Sequence, residues 1–340
     1  MFTRTRRLIG LDIGSNCVKA VELTQTGSET VLTGYGQAEM VSEGSKADAV
    51  VQACRGFHTK STVSSVSGKS VIVRFLNMPK AADESLMNVI RVEADKYIPF
   101  DVEEVVLDAQ RMPDGGQQKS DEMRVLLCAV KRSLIDEHVG LLQGVGLLPE
   151  VIDVDSFALG NAYELRSRFS AQVEDAEKTV ALVDVGANKT NVNILRGNTS
   201  FFIREIYLGG DDLTSSISKR LGIELHSAEN LKRESGENAD QLREAVMSSI
   251  EDLGNEIHLS LDYFENQFDK PVDEVFLSGG ASRLRFLGEA FEKIFEKRVR
   301  AWDPSENLRI DEGSLDVPKL KENASQIAIA VGLASRILKD

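Results

Sequence analysis

The sequence predicts an α/β fold of two lobes, each built on a mixed sheet, with a small α+β subdomain inserted into the first. Strand-like runs of aliphatic and β-branched residues alternate with helical stripes from one end of the chain to the other. A unit of strand, Asp-x-Gly turn and strand occurs twice, at residues 8–23 and 179–196. Residues 78–148 carry an order of elements of their own. At 340 residues and 42% hydrophobic content the chain exceeds one ordinary domain and can bury two cores.

Residues 8–14 and 18–23 read as strands joined by a tight Gly-Ser-Asn turn, with a third strand at 31–38. Residues 46–57 turn helical, placing Ala49, Val50, Ala53 and Phe57 on one face, and 70–76 return to strand. In the insertion, Leu86, Val89, Ile90, Ala94 and Tyr97 share a helical stripe that Pro99 ends. Strands at 103–111 and 123–130 flank a turn region at 113–120, and a helix at 133–143 stops at Gly144 and Gly146. A strand at 151–153 leads into a helix at 155–169, and the charged segment 172–178 reads as the interlobe linker. Strands at 179–184, 191–196 and 201–207 repeat the opening. Beyond Gly209 the chain is mostly helical until a buried strand at 274–278, and a helix at 323–338 closes it. The expected domains are 1–77 with 149–177, the inserted subdomain 78–148, and a second lobe 178–340 with a helical subdomain at about 212–268.

The net charge of -14 works against non-specific attraction to nucleic acid or anionic lipid. Arg4, Arg6 and Arg7 form one local exception, read as a solvated basic tail. Gly10, Asp12 and Gly14 interrupt any apolar run after these charges, so no signal peptide is expected. Cys17, Cys54 and Cys128 are odd in number and far apart, which argues for a reducing compartment and against a disulfide framework or zinc cluster. His58, His138, His226 and His258 show no paired ligand spacing.

The chemistry concentrates in the two turns. The first contains Asp12, Gly14, Ser15, Asn16 and Lys19; the second contains Asp184, Gly186, Ala187, Asn188, Lys189 and Thr190. In each, a carboxylate ends a buried strand and glycine lets backbone N–H groups approach an anion. Carboxylates do not grip phosphate directly, so Asp12 and Asp184 suit a hydrated Mg²⁺. Gly209 and Gly210, then Gly279, Gly280 and Ser282, sit at strand-to-helix junctions that admit a flat base or a phosphate. Glu229 and Lys232, three residues apart on one helical face, suit ribose hydroxyls and a base edge, or a surface ion pair.

These segments, in this order, resemble the phosphate-1, connect-1, phosphate-2, adenosine and connect-2 elements of the actin, sugar kinase and heat-shock chaperone superfamily, on a ribonuclease H-like fold. The resemblance implies ATP with Mg²⁺, Lys19 on the β- or γ-phosphate, Asp155 where relatives keep a water-activating group, and Gly332 as the connect-2 glycine. Ala187 replaces an acidic residue of actin and Lys189 has no counterpart in the superfamily pattern, so hydrolysis is expected to be slow at most. Residues 91–100, 103–108, 129–132 and 151–159 are similar to the PilM family of type IV pilus assembly proteins. That resemblance implies a cytoplasmic scaffold, peripheral to the inner membrane, whose nucleotide is structural or regulatory. The implied partner is the N-terminal peptide of a bitopic PilN-like protein, with other platform proteins and self-association left open. No nucleic acid and no direct membrane insertion are expected.

The peptide groove is expected between the helix at 86–97 and the strands at 71–76 and 125–130. Two alternatives remain: a filament-forming cell-division ATPase like FtsA, which ends in an amphipathic membrane helix where this sequence stops at Leu338, Lys339 and Asp340, and a small-molecule kinase using Asp155 as base. The second would need more aromatic substrate surface than a chain with one tryptophan, Trp302, offers.

Overall fold

The computed structural model describes residues 5–40, 45–80, 82–113, 121–169, 178–234 and 239–338. Arg4, the turn at 114–120, the linker at 172–177, and Lys339 and Asp340 lie outside the described residues. The chain opens with β1 (Thr5–Ile13), β2 (Cys17–Thr26), β3 (Glu29–Glu39), α1 (Lys46–Ala53) and β4 (Ser61–Val66). Next come β5 (Val71–Pro79), α2 (Asp83–Glu93), β6 (Val105–Met112), β7 (Glu122–Lys131), α3 (Arg132–Gly144), β8 (Leu148–Val154) and α4 (Asp155–Phe169). The second half holds β9 (Thr179–Val185), β10 (Thr190–Arg196), β11 (Thr199–Ile206), α5 (Gly210–Leu221), α6 (Leu225–Arg233) and α7 (Ala239–Phe268). It closes with β12 (Glu274–Ser278), α8 (Leu287–Phe295), β13 (Val299–Ala301), β14 (Arg309–Ile310), α9 (Val317–Glu322) and α10 (Ala328–Ala334).

The strands make a first sheet ordered β14-β3-β2-β1-β4-β8 and a second ordered β11-β10-β9-β12-β13. Without β14 the two match strand for strand. In each, a three-stranded antiparallel meander is extended by two parallel strands, β4 and β8 in one, β12 and β13 in the other. The duplicated turn in the sequence thus reports a duplicated sheet, and the fold is actin-like.

Alternation along the strands explains the layers, because successive side chains point to opposite faces. Ile9 and Leu11 face a core with α1 and α3, whereas Leu8, Val21 and Leu23 face α4 and α10. That second core also takes Val180, Leu182 and Phe276 from the second sheet, so α4 and α10 lie in apolar packing shared by both sheets. The outer face of the second sheet is covered by α5, α7 and α8. Close approach of α10 depends on Gly10 and Gly332: a Cβ at Gly10 would lie 2.0 Å from the Ala330 carbonyl oxygen, and one at Gly332 1.7 Å from that of Ala158.

Four expectations change. The strand at 61–66 was not expected, because its Ser-Thr-Val-Ser-Ser-Val composition lacks an apolar face; it nevertheless pairs with β1 and β8, and Ser64 donates to the Leu11 carbonyl at 2.8 Å. The strand at 71–79 pairs with β7 in a separate sheet ordered β5-β7-β6, so the small sheet begins before residue 78. Two elements near the end leave the second lobe: β14 joins β3, and α10 packs on β1 and α4. The helix expected at 323–338 is also divided, with 3₁₀ turns at Ala324–Gln326 and Ser335–Leu338 around α10.

Candidate functional site

Strand order carries Asp12 to the end of β1 and Asp184 to the end of β9, equivalent positions in the two sheets. Both are buried, at 5% and 7% exposure. Burial raises the Asp12 carboxyl even though Lys19 donates to it at 3.0 Å. Burial also pushes Asp184 up to about 6, opposed by a hydrogen bond from Ser278 at 2.9 Å. Asp12 lifts Asp184, and Asp155 lifts both. The Lys19 ammonium loses solvation but keeps a raised pKa through Asp12 and, across the lobes, Asp184. The two turns therefore converge on one electrostatic centre.

Asp155 opens α4 beside this centre. Its carboxylate accepts from Ser65 at 2.6 Å and from Lys189 at 2.9 Å. Burial would raise its pKa, yet the Lys189 ammonium and the hydrogen bonds from Ser65, Lys189 and Ser67 hold it below the ordinary carboxylate value. Sequence reasoning missed Ser65, Ser67 and Glu205, the second carboxylate on Lys189. Only the β-branched Thr62, Val63 and Val66 hinted at a strand there.

Of the remaining expected residues, Ser15 and Asn16 form an exposed tip, from which Asn16 donates to Asp211 at the start of α5 at 3.1 Å. Gly14 sits within the first turn, its N–H on the Cys17 carbonyl. The backbone of Gly209, Gly210 and Asp211 is laid against the second turn, with Gly210 donating to the Gly186 carbonyl at 2.9 Å and Asp211 to that of Ala187 at 2.7 Å. Asn188 is exposed at the tip of that turn. Thr190 is fully buried and spends its hydroxyl on the Leu208 carbonyl.

Glu229 and Lys232 pair at 2.6 Å, as a surface ion pair would, but Lys232 also reaches the Gly210 carbonyl at 2.9 Å and Thr214 at 2.7 Å. That ties α6 to the Gly209–Gly210 junction. Gly279 has φ +90°, and a Cβ there would lie 2.3 Å from the Val185 carbonyl oxygen, so β12 closes on β9 only with glycine. Gly280 borders open space, and Ser282 donates to the Gly279 carbonyl at 2.6 Å.

A cavity of about 610 Å³ lies elsewhere, between the small sheet, the first lobe and the turn joining β10 to β11. Its walls include Asp108 and Gln110 of β6, Leu126 and Cys128 of β7, Ile152 of β8 and Asn161 of α4. The helix expected to wall a groove is on the other side. Leu86 and Ile90 of α2 pack on Met123, Val125, Leu127 and Ala129, the opposite pleat face of β7. Both strands bordering the cavity, β6 and β8, end their sheets. Arg124 fastens the small sheet to the second lobe: it donates to the Phe201 carbonyl at 2.6 Å and lies over the rings of Phe75, Phe201 and Phe268. Among the described residues no group of three or more His, Cys, Asp or Glu side chains is placed to hold a metal, and no helix is long and apolar enough to cross a membrane.

Comparison with known proteins agrees with this architecture. The cell division protein FtsA of Streptococcus pneumoniae serotype 2 (strain D39 / NCTC 7466) is 24% identical over 388 aligned residues, covering 97% of this chain and 82% of that protein. FtsA of Bacillus subtilis (strain 168) is 23% identical over 323, covering 86% of this chain and 66% of that protein. Among solved structures, a PilM-PilN type IV pilus biogenesis complex superposes with TM-score 0.84 at 27% identity, covering 98% of this chain and 99% of that one. MreB 5 of Spiroplasma citri bound to AMPPNP shares the fold, with TM-score 0.52 at 10% identity over 99% and 96% of the two chains. A family model described as type IV pilus assembly protein PilM matches residues 10–338, and the chain belongs to that family.

Proposed function

We propose that this protein is a nucleotide-binding cytoplasmic scaffold of a type IV pilus assembly platform, holding Mg²⁺-ATP between its lobes and an N-terminal peptide of a PilN-like membrane protein beside its small subdomain. What supports the nucleotide half is the convergence of Asp12, Lys19 and Asp184 from two equivalent strand ends. Buried Asp184, with its pKa pushed up by desolvation, lacks a full counter-charge, and a cation would supply one. Paired carboxylates suit Mg²⁺, which keeps several waters and takes its other oxygens from phosphate. Asp12 and Asp184 would hold the ion, which when bound screens phosphate charge. Lys19 and the amides of Ser15, Asn16, Ala187 and Asn188 would face phosphate, while Gly14 and Gly186, whose N–H groups close their turns on the Cys17 and Lys189 carbonyls, would let the backbone come close. Glu229 and Lys232 would meet the nucleoside, with Gly209, Gly210, Gly279, Gly280 and Ser282 as close-approach backbone. Closing the cleft on such a ligand shifts the population toward the closed form.

The peptide half is supported by the cavity between two sheet-edge strands, where an extended segment would gain backbone hydrogen bonds from β6 or β8 and fill apolar space beside Leu126. The similarity to a PilM-PilN complex supports the choice of partner. Titration calorimetry tests the first half: Mg²⁺-ATP binds the wild type, and Asp12→Ala weakens it at least tenfold. Unchanged affinity in that variant would remove the cleft assignment. A fluorescent PilN-type N-terminal peptide tests the second, with binding lost in Leu126→Asp and kept in Val92→Asp, an exposed residue on α2.

A further inference from the structure

Lys189 makes contacts that a phosphate turn does not require. Its side chain is only 17% exposed, and the ammonium donates to two carboxylates, Asp155 Oδ2 and Glu205 Oε1, each at 2.9 Å. Asp155 follows β8 of the first sheet, whereas Lys189 and Glu205 belong to the second. Contact also runs the other way: the Glu205 carboxylate accepts from the backbone N–H of Gly68, just after β4, at 3.1 and 3.2 Å. Two hydrogen-bonded links of opposite direction therefore cross between the lobes and share Glu205 and Lys189. Ser65 occupies the other oxygen of Asp155 at 2.6 Å.

A carboxylate assisting ATP hydrolysis accepts a proton from water. The water oxygen bonds to the γ-phosphorus, the bond to the bridging oxygen breaks, and ADP and phosphate leave. A carboxylate with both oxygens bound to donors and an ammonium alongside is a poor proton acceptor. The groups around Asp155 are Lys189, Ser65 and Ser67 as donors, with Asp12, Asp184 and His138 within electrostatic reach.

We propose that Lys189 clasps the two lobes across the cleft and, by keeping Asp155 as the partner of an ammonium, prevents it from acting as a general base, so that bound nucleotide is retained. The clasp stands without nucleotide; the restraint on turnover rests on the nucleotide reading above. In nucleotide-free protein, amide exchange at Gly68 rises at least tenfold in Lys189→Met and in Glu205→Gln, and stays near wild type in Lys189→Arg. With ATP bound, Lys189→Met turns over at least tenfold faster than wild type, with a rate that climbs with pH as Asp155 loses its proton, while Lys189→Arg stays slow. Unchanged Gly68 exchange in both Lys189→Met and Glu205→Gln overturns the clasp. Intact ATP binding with no faster turnover in Lys189→Met overturns the restraint. Failure of the wild type to bind ATP removes the nucleotide reading and the restraint with it, and leaves the exchange result to decide the clasp alone.

Discussion

Cys128 shows how one side chain reports on its surroundings. It lines the cavity beside β7, and burial pushes its thiol up to about 12 from an ordinary 9.0. Since the thiolate is the reactive form, a shift of three units leaves roughly a thousandfold less of it at pH 8. Iodoacetamide should label Cys128 far more slowly than a model thiol at that pH, as read by mass spectrometry, and a bound peptide should slow it further. The linkage has a definite sign. Below pH 9 both folded and unfolded chains keep the proton, so this group leaves stability unchanged; between pH 9 and 12 only the unfolded chain releases it, and stability falls as pH rises. Asp12, Asp184, Lys19 and the glycines were legible in the sequence because turn chemistry needs those residue types. Ser65 and Glu205 were not, because their partners lie 90 and 137 residues away at Asp155 and Gly68.

At the level of elements, α10 is the most sensitive to change. Gly332 faces the Ala158 backbone so closely that one added methyl has no room. Gly332→Ala should therefore cost about 1–3 kcal/mol by overpacking, seen as a lowered melting temperature, whereas Gly140→Ala, which meets open space, should not. Strands such as β9 and β12 were legible because their aliphatic runs are continuous, and α4 because its start follows a strand directly. β4 was hidden by its serines, and β13 and β14 by being only three and two residues long. The pairing of β5 with β7 rather than with the first sheet is a tertiary choice that local pattern does not encode. Arg124 belongs to this scale too, since it fixes one subdomain to another. Burial lowers its pKa to about 10, and Arg124→Met, which keeps apolar bulk but loses the Phe201 hydrogen bond, should raise hydrogen exchange along β5 and β7 more than along β9.

The molecule as a whole joins its lobes in two different ways. Deep between the sheets the contact is apolar, through α4 and α10. Around the cleft it is polar: Lys189 with Asp155, Asn16 with Asp211, and Arg233 with Glu39 at 2.5 Å. Salt screens exposed charges and leaves apolar burial nearly untouched. Raising ionic strength should accordingly speed hydrogen exchange near Glu39 and Arg233, which are 62% and 51% exposed, before it changes exchange in β9 or α10.

The return of α10 to β1 also governs how the protein is made. Leu8, Val21 and Leu23 leave the ribosome long before Ile329, Val331 and Leu333, which complete their packing. The N-terminal half of the nascent chain must wait through the synthesis of everything between with one apolar sheet face only partly covered, by α4, which makes it a natural client for a holding chaperone.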